Sequence, residues 1–151
     1  MHLLDTILWF LKFFSLILAE AMQAAGIRAF VGKLSMDISS RPSYVESSAE
    51  SALSSAKSFV ERCCQIASNL PPPRRLVEPV LTPRFVPTCS DELLRGLGKL
   101  SKSGLLRIQS HMAEAYDEVT WVKRDRGSED IEVFEQVCDR SVTYSPQPHT
   151  A

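Results

Sequence analysis

Apolar and polar positions along the chain follow two rhythms, and each change of rhythm marks an element. Residues 7–19, "ILWFLKFFSLILA", are apolar almost throughout and broken by Lys12. A membrane-spanning helix needs roughly 20 consecutive apolar residues. The shorter run predicts a buried or poorly formed helix. A signal peptide would begin basic, whereas Asp5 stands near this start, and a signal anchor is the competing reading. "ILAEAMQAAG", residues 17–26, holds good helix formers and stops at Gly26, a natural residue just past a helix end. "IRAFVGK", residues 27–33, is short, apolar and rich in β-branched and aromatic side chains, and predicts a strand. "MDISSRP" reads as a loop.

The next helix carries the clearest helical spacing. "SYVE", residues 43–46, has the form of a capping box, with Ser43 and Glu46 satisfying each other's amides. Behind it Val45, Ala49, Ala52, Leu53, Ala56, Phe59, Val60 and Cys63 fall on one face. "SNLPPPRR" ends the helix in a stiff connector. "LVEPVLTPRF", residues 76–85, predicts a strand whose firm part is Val80–Thr82, because Pro79 removes a ladder donor. "SDELLRGLGKLSKSG" predicts a helix with Ser90 as N-cap, Leu93, Leu94, Leu97 and Leu100 buried, and Gly104 closing it. "LLRIQS" predicts a strand, "EAYDEVTWVKRDRG" a helix with acids early and bases late, and "SEDIEVFEQV" a short further helix. The polar, proline-bearing residues 138–151 read as a loose tail.

Strands alternating with helices in this way imply βαβ units and a parallel sheet. Three such strands would leave two open edges, and a complete (β/α)8 barrel takes about 250 residues. The expected class is α/β: a partial (β/α)8 TIM barrel of about three to four βα units with an apolar N-terminal helix. The expected organisation is a divergent apolar segment over 1–16, a barrel portion over 17–137 and the tail.

Composition narrows the partners. The chain has 151 residues, 44% hydrophobic and 23% charged, with a net charge of −1. Such a balance argues against nucleic acid, whose binders show a basic face. The four cysteines form no CxxC pair, which argues against a finger-type zinc site and for reduced thiols in a cytoplasmic protein.

In parallel α/β folds, functional side chains gather at the carboxyl ends of strands. One strand here ends in Arg84 and Phe85, the other in "QSHMAE" with His111 and Glu114. The His111 imidazole can bind a metal, and Glu114 can move protons for a metal-bound water. Arg84 offers a planar fork of donors and Phe85 a flat face. Together they describe a pocket for a planar, oxygen-bearing heterocycle beside a metal. The plainer roles are a hydrogen-bonded surface histidine, a glutamate favouring a helix start, a solvated arginine and a core phenylalanine.

Blocks in series weigh between these readings. "GIRAFVGKLSMD", "SFVERC", "EPVLTPRFVPTCSDELLRGLGKL", "IQSHMAEAYDEV" and "RGSEDIEVF" resemble the guanine deaminases of the metal-dependent amidohydrolase superfamily, from about Ala19 to about Phe134. The resemblance implies a zinc-dependent (β/α)8 hydrolase that converts guanine to xanthine and ammonia, cytoplasmic and homo-oligomeric. It makes His111 a zinc ligand, Glu114 the proton-moving carboxylate, and Arg84 with Phe85 the pair that grips guanine. It also implies further ligands that this chain does not carry: a His-x-His pair on a first strand, a later histidine and an aspartate. The chain is therefore expected to be incomplete and inactive alone. Other planar amines as substrates, a non-catalytic fragment, and a small membrane-attached protein are the alternatives.

Overall fold

The computed structural model describes residues 3–39 and 45–138, with side chains from 13 to 39 and from 45 to 137. Helix α1, Leu3–Ala24, runs unbroken through the apolar stretch and the helix-forming one behind it. Gly26, at φ 74, turns the chain out of it. Among the described residues, no helix is long and apolar enough to cross a membrane.

The sheet is built around one strand. Ala29–Val31 (β1) and Leu34–Ser35 (β2) lie end to end along one side of Val77–Pro83 (β3), parallel to it. Of the strand predicted over 27–33 only Ala29–Val31 is extended in the sheet; β2 follows it, beyond the predicted range, after Gly32 and Lys33. Gly32 has a steric reason to be glycine: a Cβ there would lie 2.0 Å from Thr82 Oγ1 and 2.8 Å from the Val80 carbonyl oxygen. Arg107–Ile108 (β4) pairs with the other side of β3, again parallel, opposite Val80 and Leu81. Pro79 is tolerated inside β3 because its missing N–H belongs to the β4 side, where pairing begins only at Val80. The firm part of β3 therefore reaches past Val80–Thr82 in both directions.

Helix α2, Ala49–Ile66, and helix α3, Asp91–Gly104, cover one face of this sheet. Ala52, Ala56, Leu81, Leu93, Leu94 and Leu97 form the heart of the core, joined by Val122 and Phe134 from α4 (Tyr116–Arg126) and α5 (Asp130–Cys138). A second cluster sets Leu16 and Ala19 of α1 against Phe59, Cys63, Val31 and Val77. Fully burying a side chain such as Phe59 or Leu81 contributes about 1.5–3 kcal/mol.

Three local expectations need correction. Helix α2 starts at Ala49, with Ser48 as N-cap accepting from Ser51 N–H at 3.1 Å. Val45 lies before the helix, and Ser43 lies outside the described residues. Glu46 does not cap a helix: it pairs with Lys33 Nζ at 2.6 Å, both side chains buried. A buried ammonium needs an anion more than a helix end needs a second cap. Helix α3 runs through Gly104, and the left-handed residue that ends it is Leu105, at φ 51. β4 holds only two of the six residues predicted for that strand. Beyond Cys138 the predicted tail lies outside the described residues.

Candidate functional site

The carboxyl end of β3 and the residues after β4 meet at one rim. Arg84 N–H donates to the Ser35 carbonyl at 3.1 Å, which continues the ladder between β2 and β3. Gln109 N–H donates to the Leu81 carbonyl at 3.0 Å, extending the pairing of β4. His111 then crosses to Arg84. Its backbone N–H donates to the Arg84 carbonyl at 3.1 Å, and its ring Nδ1 lies 2.9 Å from the same oxygen. Ser110 Oγ donates to the Pro83 carbonyl at 2.9 Å. With a carbonyl as acceptor, Nδ1 is the nitrogen that carries the proton and donates, which leaves Nε2 free to act as base or ligand.

Arg84 is exposed, and its guanidinium stands over the Phe85 ring, 5.1 Å from the centroid. Nη1 also lies 3.7 Å from Met36 Sδ. Phe85 is half-buried and meets Trp121 edge-on at 6.4 Å, so α4 props the ring from behind. A cation over an aromatic face gains about 0.5–1 kcal/mol at an exposed site. The gain is enough to bias the arginine's position while leaving its donors available.

The rim is tied to the helices behind it. Asp37 accepts from Ser90 N–H at 2.8 Å and from Ser90 Oγ at 2.5 Å, while Ser90 Oγ accepts from Leu93 N–H at 3.1 Å and so caps α3. Arg126 donates to the Cys89 carbonyl at 2.8 Å and pairs with Asp91. The Cys89 thiol is pushed up to about 11 chiefly by burial, so it packs rather than reacts.

The structure thus brings Arg84, Phe85 and His111 together, with Glu114 exposed on the loop that follows. Sequence reading did not find Met36 or Trp121, which touch Arg84 and Phe85 from distant segments. It also passed over Glu118 and Asp130, two buried acids beside the Glu114 loop. Glu118 alone had a local signal, since it is the third residue of α4. Burial first, then the neighbouring Asp130 charge, raises the Glu118 pKa; burial likewise raises that of Asp130.

A catalytic zinc takes three protein ligands and a water. His111 would supply one imidazole, and among the described residues no three His, Cys, Asp or Glu side chains converge to hold a metal. The described residues do not make a complete zinc site.

Comparison with known proteins fits this geometry. The Amidohydrolase family model matches residues 6–141. Guanine deaminase of Dictyostelium discoideum is 46% identical over 107 residues, covering 71% of this chain and 22% of that protein. The probable guanine deaminase of Schizosaccharomyces pombe is 39% identical over 109 residues, covering 72% of this chain and 20% of that protein. The structure of guanine deaminase from C. acetobutylicum, with guanine bound in its active site, superposes with a TM-score of 0.72 at 32% identity, covering 84% of this chain and 29% of that one. The chain therefore spans between a fifth and a quarter of the length of these two curated relatives. The parallel α/β sheet agrees with a family match over most of the chain's length: the chain belongs to the amidohydrolase family.

Proposed function

We propose that this chain carries the guanine-holding and proton-moving part of a guanine deaminase, a hydrolase that replaces the ring amino group of guanine with oxygen and releases ammonia. One observation carries the reading. His111, matched to a metal ligand, is bonded through its backbone and its ring to the carbonyl of Arg84, matched to the guanine clamp. Metal ligand and substrate clamp therefore share a single fixed carbonyl. Arg84 donates to the oxygen-bearing edge of the base, Phe85 packs on its face, and Glu114 moves a proton between water and ring. His111 is one ligand of the zinc that would polarise the attacking water, and the other ligands are not among the residues described here. The fold is read as part of a (β/α)8 barrel, with residues 17–137 as the barrel portion and residues 1–16 a divergent apolar segment before it. A cytoplasmic homo-oligomer without nucleic-acid partners fits the same reading; free Cys63, Cys64 and Cys89 support the compartment.

A chimera tests it. Residues 19–134 replace the matching segment of the Dictyostelium enzyme, and xanthine formation from guanine is measured. Activity that falls at least about 100-fold on Glu114→Gln and rises in KM on Arg84→Ala supports the reading. A folded, zinc-loaded chimera that is inert, or one indifferent to both substitutions, defeats it.

A further inference from the structure

The guanidinium of Arg84 rests on a ring and a sulfur. It stands over Phe85, 5.1 Å from the ring centroid, and its Nη1 reaches Met36 Sδ at 3.7 Å. A thioether is a weak acceptor without charge. It directs one N–H of the fork and leaves the positive charge and the remaining donors to a stronger, oxygen-bearing acceptor. A carboxylate in its place would neutralise the fork and compete with such an acceptor.

Met36 is itself fixed. It is buried and follows β2 directly. Both of its backbone groups go to Glu46: the Met36 carbonyl accepts from Glu46 N–H at 3.0 Å, and the Met36 N–H donates to Glu46 Oε2 at 3.4 Å. The other carboxylate oxygen, Oε1, takes Lys33 Nζ at 2.6 Å, and Lys33 Nζ also donates to the Leu34 carbonyl at 2.7 Å. The pair therefore ties residues 34–36 down together. The backbone between them is also that of the clamp's support, since the Ser35 carbonyl accepts Arg84 N–H at 3.1 Å. Apolar side chains of like volume often match a buried ion pair in stability. What they lack is a directed bond to the backbone that carries the sulfur.

We propose that Met36 is a positioning residue for Arg84 and that the buried Lys33–Glu46 pair acts through it: the pair fixes the Met36 backbone, and the sulfur sets the direction in which the fork leaves the rim. The use of that direction rests on the guanine-holding role proposed for Arg84. The placement of the fork does not depend on that role.

NMR of the Arg84 Nε–Hε group in the full 151-residue chain tests it. In the unsubstituted chain this group is ordered, and the Met36 methyl group shows a nuclear Overhauser contact to the Arg84 side chain. Met36→Leu is close in volume and lacks the acceptor; it loosens Arg84 Nε–Hε and leaves the unfolding midpoint nearly unchanged. Lys33→Met combined with Glu46→Leu loosens the same group in a chain that stays folded, which a pair serving stability alone would not do. Met36→Leu carries the test should the double variant fail to fold. In a second arm, dissociation constants are measured for guanine and for 2-aminopurine, which keeps the ring system and the amino group but lacks the oxygen. The variants weaken guanine about fivefold, the worth of one hydrogen bond, and leave 2-aminopurine unchanged. A disordered Arg84 side chain in the unsubstituted chain overturns the proposal. So does order that survives either variant in a folded chain, or equal weakening of the two bases. An unsubstituted chain that does not bind guanine defeats the guanine-holding role, and the order of Arg84 still decides the positioning.

Discussion

Glu46 and Glu118 are both buried carboxylates beside a loop at the carboxyl ends of the strands, and the fold treats them in opposite ways. Glu46 meets Lys33 Nζ at 2.6 Å and receives the Met36 N–H at 3.4 Å. Lys33 Nζ also donates to the Leu34 carbonyl at 2.7 Å. That loop is pinned by a matched pair of charges. Among the described residues Glu118 has no cationic partner; its Oε1 is unsatisfied, and burial and then the nearby Asp130 charge raise its pKa. The comparison separates two uses of a buried acid. One secures the scaffold under Arg84 and is satisfied locally. The other stands behind the residue proposed to move protons and stays unsatisfied, as groups at functional sites often do.

The two sides should break differently. Glu46→Ala leaves Lys33 buried and unpaired and should lower stability by about 3–5 kcal/mol, read from urea unfolding. Replacing both, as Lys33→Met with Glu46→Leu, should recover much of that loss. Next in size is Gly32→Ala, whose methyl group meets Thr82 Oγ1 and the Val80 carbonyl; overpacking of this kind costs about 1–3 kcal/mol. Adding Thr82→Ala should recover part of it.

The unpaired acids predict the opposite sign. The folded pKa of Glu118 is raised, so protonation favours the folded state. That stabilisation is complete below the ordinary carboxylate pKa and is lost as pH rises through the raised folded value. Glu118→Gln should therefore raise the unfolding midpoint modestly at pH 7, and the gain should shrink as pH falls toward that of an ordinary carboxylate. A gain that grows on acidification contradicts the assignment. The smallest effect concerns the thiols. Cys64 is exposed, whereas Cys63 and Cys89 are buried and pushed up to about 11, chiefly by burial. A thiol reagent at pH 8 should label Cys64 well before either of them.

Sequence pattern reached the elements that rest on their own periodicity. Leu93, Leu94 and Leu97 do bury the face of α3, and Gly127 does end α4 with a positive φ of 69. It failed where a distant group decided the outcome. The "SYVE" motif has the letters of a capping box, yet Glu46 is claimed by Lys33, thirteen positions away. The end of α3 moved one residue because a left-handed Leu105 is held by Ser101. That Arg84, Phe85 and His111 lie near one another was legible because strand ends in parallel sheets face one rim. Met36, Trp121 and Asp130 were not, because their placement comes from tertiary contacts or burial that no local spacing encodes; Glu118 had only its place in the first turn of α4 as a signal.

The most direct measurement is a guanine titration of the isotope-labelled 151-residue chain, followed residue by residue by NMR. A single site predicts that the amides of Arg84, Phe85, His111 and Glu114 shift together with one dissociation constant, while Cys64 and Lys102 stay still. Shifts confined to one of the two pairs, or two pairs that saturate at different concentrations, would contradict a shared site.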